Sequence, residues 1–304
     1  MRIVSLVPAA TEIAWALGAG DDLVAVTHDC DHPAGVRGLP RITRSTIAPG
    51  SDSGQIDAQV RRAAASGDST FHLDADALRE ARADVLLGQT ICAVCAVTLD
   101  QLPSSAGPAP RTVSLDGGTL EGIFDDIRRV ADALGRSAAG ARLVGELRAR
   151  LHRVAEAVAG RPRRPAVCLE WLVPPFNGGH WVPEQVAWAG GLDLLGTAGE
   201  RSREVTWEEV AAAQPEALII MPCGFDAARA VAESAAVTRR PEWQSLDAVA
   251  TGRAYAVDGN AYFSRPGPRV VDGVELLASL FHPGTVAAPA GAVVRTLATG
   301  NGRT

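Results

Sequence analysis

The sequence predicts an α/β protein: two lobes with mostly parallel sheets, joined by a long backbone helix. Three observations predict it. Short β-branched runs alternate with helical stretches in both halves, the rhythm of βαβ units. A stretch of about 40 residues, 119–160, interrupts that rhythm with apolar positions at helical spacing. The chain is 304 residues long, 47% hydrophobic and 21% charged, enough to fill two cores and far from the composition of a disordered chain. The expected division is an N-terminal α/β lobe over 1–118, a connecting helix over 119–162 and a C-terminal α/β lobe over 163–304.

Taken in order, "RIVSLV" (2–7) reads as a buried strand and "AATEIAWALGAG" (9–20) as a helix, with Thr11 and Glu12 near its start and Gly18 to Gly20 ending it. "LVAVTH" (23–28) is a second strand, followed by a polar loop rich in Gly, Pro and Ser through residue 54. "DADALREARADVLLGQT" gives a helix with Leu78 and Ala81 on one face, then a strand over 84–89; "RTVSLD" (111–116) is the fourth strand. The 119–160 stretch is one long helix or a pair broken between Gly135 and Gly140. Beyond it come "RPAVCLEW" (164–171), helical content around 184–191, helix then strand over 206–224, and "GRAYAVDGN" (252–260) as the last strand. A final helix stops at Pro283, and the tail from Gly284 reads as loose.

Composition excludes several function classes. Twenty-nine basic residues, all Arg, face 35 acidic ones for a net charge of −6, with no long basic block, so no nucleic-acid partner is expected. The absence of Lys reads as a coding bias. The N-terminus shows no apolar signal core and no window of about 18 apolar residues follows, so no membrane insertion and a cytoplasmic location are expected. Five Cys is an odd, sparse set that suits free thiols or metal ligands better than disulfides. Phosphate-binding loops, nucleophile elbows and dinucleotide fingerprints are all missing, which disfavours nucleotide chemistry and hydrolase triads.

In an open parallel sheet, ligands collect beyond the carboxyl ends of the strands. The chemically unusual residues fall there: "THDCDHP" after the second strand, "GQTICAVC" after the third, "CLEWLVPPFNGGHWVPE", "MPCGFD" and "DGNAYFSRPGP" in the second half. Cys92 and Cys95 read as pocket lining, as metal ligands or as a redox pair; Cys30 and Cys223 would have to converge on them to complete a four-thiolate site for zinc or an iron–sulfur cluster. His28 and His32 are four apart, but Pro33 argues for a turn in which Asp29 and Asp31 cap. Glu170, His180 and Glu184 read either as acid/base or metal groups or as loop and cap residues. Trp171, Phe176, Trp181, Phe225, Tyr262 and Phe263 suit a broad, flat, apolar ligand, or packing between lobes.

These segments carry a resemblance. "RIVSLVPAATEIAWALGAGDDLVAVTHDCDHP", "TWEEVAAAQPEALIIMPCGF" and "WQSLDAVATGRAYAVDGN" resemble the substrate-binding proteins of vitamin B12 and iron-siderophore ABC transporters over roughly residues 2 to 283. "CAVCAV", "MPCGFD" and "GNAYFSRPGPR" are similar to a signal-less, cobalamin-binding subset. The resemblance implies two Rossmann-like lobes joined by one long helix, a ligand between them, and a relation to an ABC transporter that a cytoplasmic location would contradict. The expected function is a ligand-binding protein holding a corrinoid or other metal-chelate, tetrapyrrole-like small molecule, with cobalamin as the leading ligand. The ligand-binding set is Pro8, Thr11, Glu12, Glu170, Trp171, Phe176, His180, Trp181, Phe225, Tyr262, Phe263 and Arg265, with His180 as axial imidazole. The alternative is a metalloprotein or enzyme built on Cys30, Cys92, Cys95 and Cys223, with Glu170 and His180 supplying chemistry. No catalytic residue is identified.

Overall fold

The computed structural model describes residues 1–90 and 109–297. In chain order these form β1 (Ile3–Ser5), α1 (Pro8–Ala16), β2 (Leu23–Ala25), β3 (Thr43–Ser45), α2 (Ser53–Ser66), β4 (Phe71–Leu73), α3 (Ala75–Ala81), β5 (Val85–Gln89) and β6 (Arg111–Leu115). Next come α4 (Leu120–Ala133), α5 (Ser137–Val158), β7 (Arg164–Leu172), β8 (Pro175–Asn177), α6 (Val182–Trp188), β9 (Gly191–Asp193), α7 (Trp207–Ala213) and β10 (Ala217–Ile220). The chain closes with α8 (Ala227–Ser234), α9 (Pro241–Gln244), α10 (Asp247–Ala250), β11 (Ala254–Val257), α11 (Gly259–Tyr262), α12 (Val270–Phe281) and β12 (Val294–Thr296).

The chain divides into two compact units. Unit 1 holds Met1–Ser51, Ala58–Leu147 and Pro266–Pro268; unit 2 holds Asp52–Asp57, Arg148–Arg265 and Arg269–Thr304. The boundary therefore falls inside α5, between Leu147 and Arg148, and inside α2, between Asp57 and Ala58. The helical stretch is a broken pair: α4 ends at Ala133, and Gly135 takes φ 66°, a left-handed conformation that favours glycine.

Unit 1 is built on a four-stranded parallel sheet in the order β2-β1-β5-β6. β1 and β5 are buried along their whole length, as their unbroken apolar runs require of central parallel strands. Pro8 starts α1, where its missing N–H costs nothing, and Gly18 at φ 76° follows its end.

Unit 2 carries β7, β10 and β11 in parallel, with β9 also parallel to β7. Two antiparallel strands complete the sheet, β8 folding back on β7 and β12 pairing β11. The tail from Gly284 is thus not loose throughout: Val294, Arg295 and Thr296 form an edge strand, and β11 is not the last strand. Trp207 and Trp243 meet edge-on at 5.9 Å in the core beside Val167, Leu169, Leu218 and Ile220. Arg150 of α5 donates to Asp272 and Glu275 on successive turns of α12, fixing that half of α5 within unit 2.

Candidate functional site

In unit 2 the parallel strands β7, β10 and β11 deliver their carboxyl ends to one edge of the sheet. The register Leu169↔Cα partner Ile220 places the exits of β7 and β10 side by side. There Cys223 N–H donates to the Glu170 carbonyl at 3.0 Å, and Asn260 N–H to the Phe225 carbonyl at 3.2 Å, so the three exit turns are stitched together. Gly259 makes this approach possible: a Cβ there would lie 2.4 Å from the carbonyl oxygens of Met221 and Pro222.

On these turns Trp171 packs against Phe225 with ring centroids 5.2 Å apart and a tilt of 48°. Trp171 is half-buried, while Phe225 is only 4% exposed. Phe176, the cross-strand partner of Trp171 on β8, is also half-buried. Trp181, Tyr262 and Phe263 are buried; Tyr262 and Phe263 meet edge-on at 6.4 Å, and the Tyr262 carbonyl accepts a hydrogen bond from the fully buried Gln185 of α6. Arg265 is buried as well. The six aromatics foreseen as a rim therefore split into an accessible pair, Trp171 and Phe176, and four with packing duties.

Glu170 acts through the loop that follows. Its Oε2 accepts the Gly179 N–H at 3.2 Å. Gly179 in turn leaves no room for a side chain, since a Cβ would sit 2.2 Å from the Ser202 nitrogen. His180 then adopts φ 54°, uncommon for a non-glycine residue. Its N–H donates to the Glu200 carbonyl and its own carbonyl accepts from Gly199 N–H. The His180 ring lies 5.7 Å from that of Trp181, and its Nε2 is buried with no hydrogen-bond partner among the described residues. Burial, helped by the charge of Arg201, pushes its pKa below the usual histidine value and keeps the imidazole neutral. Glu184 lies in the first turn of α6, consistent with the dipole-capping role read from sequence.

Two residues that sequence reasoning passed over complete this wall. The guanidinium carbon of Arg229 lies 3.8 Å from the Phe225 ring centroid, and Glu233 lies 3.7 Å from Arg229 Nε. The signal was available: Phe225, Arg229 and Glu233 recur every four residues where a helix begins.

Unit 1 ends its strands differently. Thr11, at the first turn of α1, donates to Ser5 Oγ at 2.8 Å and lies 3.1 Å from Cys30 Sγ; Thr27 Oγ1 lies 3.1 Å from the same sulfur. Thr11, Glu12 and Cys30 are buried and Pro8 is half-buried. Arg41 ties down the loop through the carbonyls of Thr27 and Cys30, at 2.7 and 2.5 Å. His28 bonds Thr43 Oγ1 at 2.7 Å and pairs Asp29 at 3.4 Å, while His32 is exposed, so the four-residue spacing of the histidines does not bring a common ligand face.

The thiolate set is not assembled among the described residues. Cys30 belongs to unit 1 and sits among hydroxyls; Cys223 belongs to unit 2; Cys92 and Cys95 lie outside the described residues. No group of three or more His, Cys, Asp or Glu side chains among the described residues is placed to hold a metal ion. Cys168, the fifth thiol, is fully buried in β7, and desolvation pushes its pKa well up, which makes it inert. No helix among the described residues is long and apolar enough to cross a membrane.

A family model described as periplasmic binding protein matches residues 3–261. The chain is 26% identical over 277 residues to the vitamin B12-binding protein of Vibrio cholerae, covering 90% of this chain and 86% of that one. It is 24% identical over 291 residues to an uncharacterized ABC transporter substrate-binding lipoprotein of Bacillus subtilis, covering 93% and 81%. Among solved structures, a periplasmic heme-binding protein from Pseudomonas aeruginosa superposes with a TM-score of 0.72 at 22% identity, covering 98% of this chain and 99% of that chain. The periplasmic vitamin B12-binding protein of Vibrio cholerae superposes at 0.62 and 21%, covering 92% and 96%. At these identities the structural likeness establishes the fold, the two-lobed α/β architecture expected from the sequence.

Proposed function

This chain belongs to the periplasmic binding protein family, and from that premise we propose that it is a substrate-binding protein for a corrinoid or a related tetrapyrrole metal chelate. One observation carries the choice of ligand: Trp171, half-exposed, is propped on the buried Phe225 at the carboxyl ends of the unit 2 strands, where a flat apolar ligand can stack on it. The names of the Vibrio cholerae relative and of the cobalamin-binding protein of Halobacterium salinarum, 24% identical over 289 residues, support the corrinoid reading. The heme-binding structure supports the wider tetrapyrrole class.

His180 is the residue we assign as axial donor. Its imidazole is held neutral, and a neutral imidazole is the form that ligates a metal. The Bacillus subtilis relative carries the name of an ABC transporter component, which supports delivery to a transporter as the purpose of binding.

Titration with cobalamin, read by the visible spectrum and by melting temperature, tests the proposal. Ligand at 100 times its dissociation constant stabilises by about 2.7 kcal/mol through mass action. A rise in melting temperature with a spectral shift that His180→Ala removes is the expected result. No response well above micromolar cobalamin or iron porphyrin overturns the reading.

A further inference from the structure

His180 owes its pose to a neighbouring strap. Its backbone sits at φ 54°, a left-handed conformation that a side chain disfavours and that persists only where the surroundings hold it. The hold comes from residues 194–205, between β9 and α7. The Glu200 carbonyl of that segment accepts the His180 N–H, and Gly199 N–H donates to the His180 carbonyl at 2.9 Å. Arg201, the next residue, supplies the charge that acts on the ring. Strap and loop meet backbone to backbone, since a Cβ on Gly179 would sit 2.2 Å from the Ser202 nitrogen.

The strap is clasped in turn by Asn177, the last residue of β8, which is 4% exposed. Its Nδ2 donates to the Leu195 carbonyl at 2.7 Å and its Oδ1 accepts the Arg203 N–H at 2.7 Å. Its own N–H donates to the Arg203 carbonyl at 3.1 Å. One neutral carboxamide therefore grips the strap on both sides of the residues that hold His180. Its partners are a carbonyl and an N–H, which need one donor and one acceptor from the same side chain. Asn has both, and an ionised Asp has only the acceptor. Asp193 Oδ1 fixes the start of the strap through the N–H groups of Leu195 and Gly196, at 3.1 and 2.8 Å.

Resting on the assignment of His180 as axial donor, we infer that Asn177 is its positioning residue: by closing the strap it fixes where the imidazole points. Groups that orient a ligating histidine govern affinity without touching the metal.

The test follows the His180 imidazole by NMR in the ligand-free, histidine-labelled chain as pH is varied, with His180→Gln to identify its signal among six histidines. Affinity is measured for aquocobalamin and for ferric protoporphyrin, and melting temperature reports folding. The variants are Asn177→Ala, Asn177→Ser, whose hydroxyl both donates and accepts, and Val249→Ala, a core truncation on α10 outside the clasp. In the wild type His180 should titrate below 6.5. Asn177→Ala should move that midpoint up toward 6.5. It should also weaken binding by about tenfold to a hundredfold, the usual loss when an orienting partner of a ligating histidine is removed. Asn177→Ser should restore part of both. Val249→Ala should lower the melting temperature and leave the midpoint in place, which separates positioning from stability alone. An unmoved midpoint in Asn177→Ala, an equal shift in Val249→Ala, or an affinity that Asn177→Ala leaves at the wild-type value overturns the inference. A wild-type chain that binds neither ligand, with a midpoint that still follows Asn177, overturns the ligand reading and leaves the clasp on His180 standing.

Discussion

The strand ends of the two units solve the same structural problem with different chemistry. Unit 1 closes its β1 and β2 exits with small groups, Ser5, Thr11, Thr27 and the Cys30 thiol, each bonded to another and nearly all buried. Unit 2 closes its β7 and β10 exits with large ones, Trp171 on Phe225 and Phe225 under Arg229, with Trp171 and Arg229 left accessible. A buried network that satisfies its own polar atoms rigidifies its surroundings and has little to offer a ligand. An accessible indole has stacking area to offer. Under the proposed function, the contrast makes Trp171 the recognition surface to test and the unit 1 cluster the stabilising network to test against it.

Substitutions can break this contrast. The largest effect is expected at Gly259, where an added methyl meets two carbonyl oxygens at 2.4 Å. Gly259→Ala should cost about 3 kcal/mol in denaturant unfolding and weaken ligand binding too, because it pries apart the turns that carry the wall. Trp171→Ala should weaken ligand binding by about 1.5–3 kcal/mol while leaving the melting temperature within a few degrees. Thr11→Val, which removes the hydroxyl shared by Ser5 and Cys30, should do the reverse: about 1–2 kcal/mol of stability lost and affinity unchanged, by the same unfolding and titration measurements.

Acid offers a subtler separation of the units. In unit 2, His180 has a folded pKa below its ordinary 6.5, so the unfolded chain takes up the proton first and stability should fall as pH drops below about 6.5. In unit 1, burial raises Asp126 from 3.8 to about 6 although it accepts the Gly117 N–H and pairs with Arg129. There the folded chain takes up the proton first, so this group's contribution is fully present below pH 3.8 and is lost as pH rises through 6. Unfolding curves between pH 4 and 7 should therefore shift in opposite senses for His180→Gln, which flattens the acid-side loss, and Asp126→Asn, which removes the acid-side gain.

How far the sequence reached follows from the range of the interactions involved. β1 and β5 were readable because a buried parallel strand is an unbroken apolar run, and the break at Gly135 because a left-handed turn asks for glycine. α2 escaped notice because its only large apolar side chains are Ile56 and Val60, too few for a helical stripe; the cue was its cap, where Asp52 and Gln55 bond each other's backbone N–H at 2.8 and 3.0 Å. β8 was hidden by the prolines beside it, which read as loop, and β12 by its three-residue length. The strand-end rule pointed to turns that the structure brings together in unit 2. It could not tell that Phe225 would be buried beneath Arg229 or that the Tyr262 carbonyl would accept a hydrogen bond from Gln185, because those depend on the pairing of β7 with β10 and on helices distant in sequence.

The most direct test of the assignment is a cobalamin titration of wild type beside Trp171→Ala and Thr11→Val, followed by the visible spectrum, with unfolding measured on all three. The account predicts a dissociation constant raised tenfold or more by the loss of the indole, about 1.4 kcal/mol or more, and unchanged by the loss of the hydroxyl. Equal affinity in wild type and Trp171→Ala, or a loss confined to Thr11→Val, would contradict it.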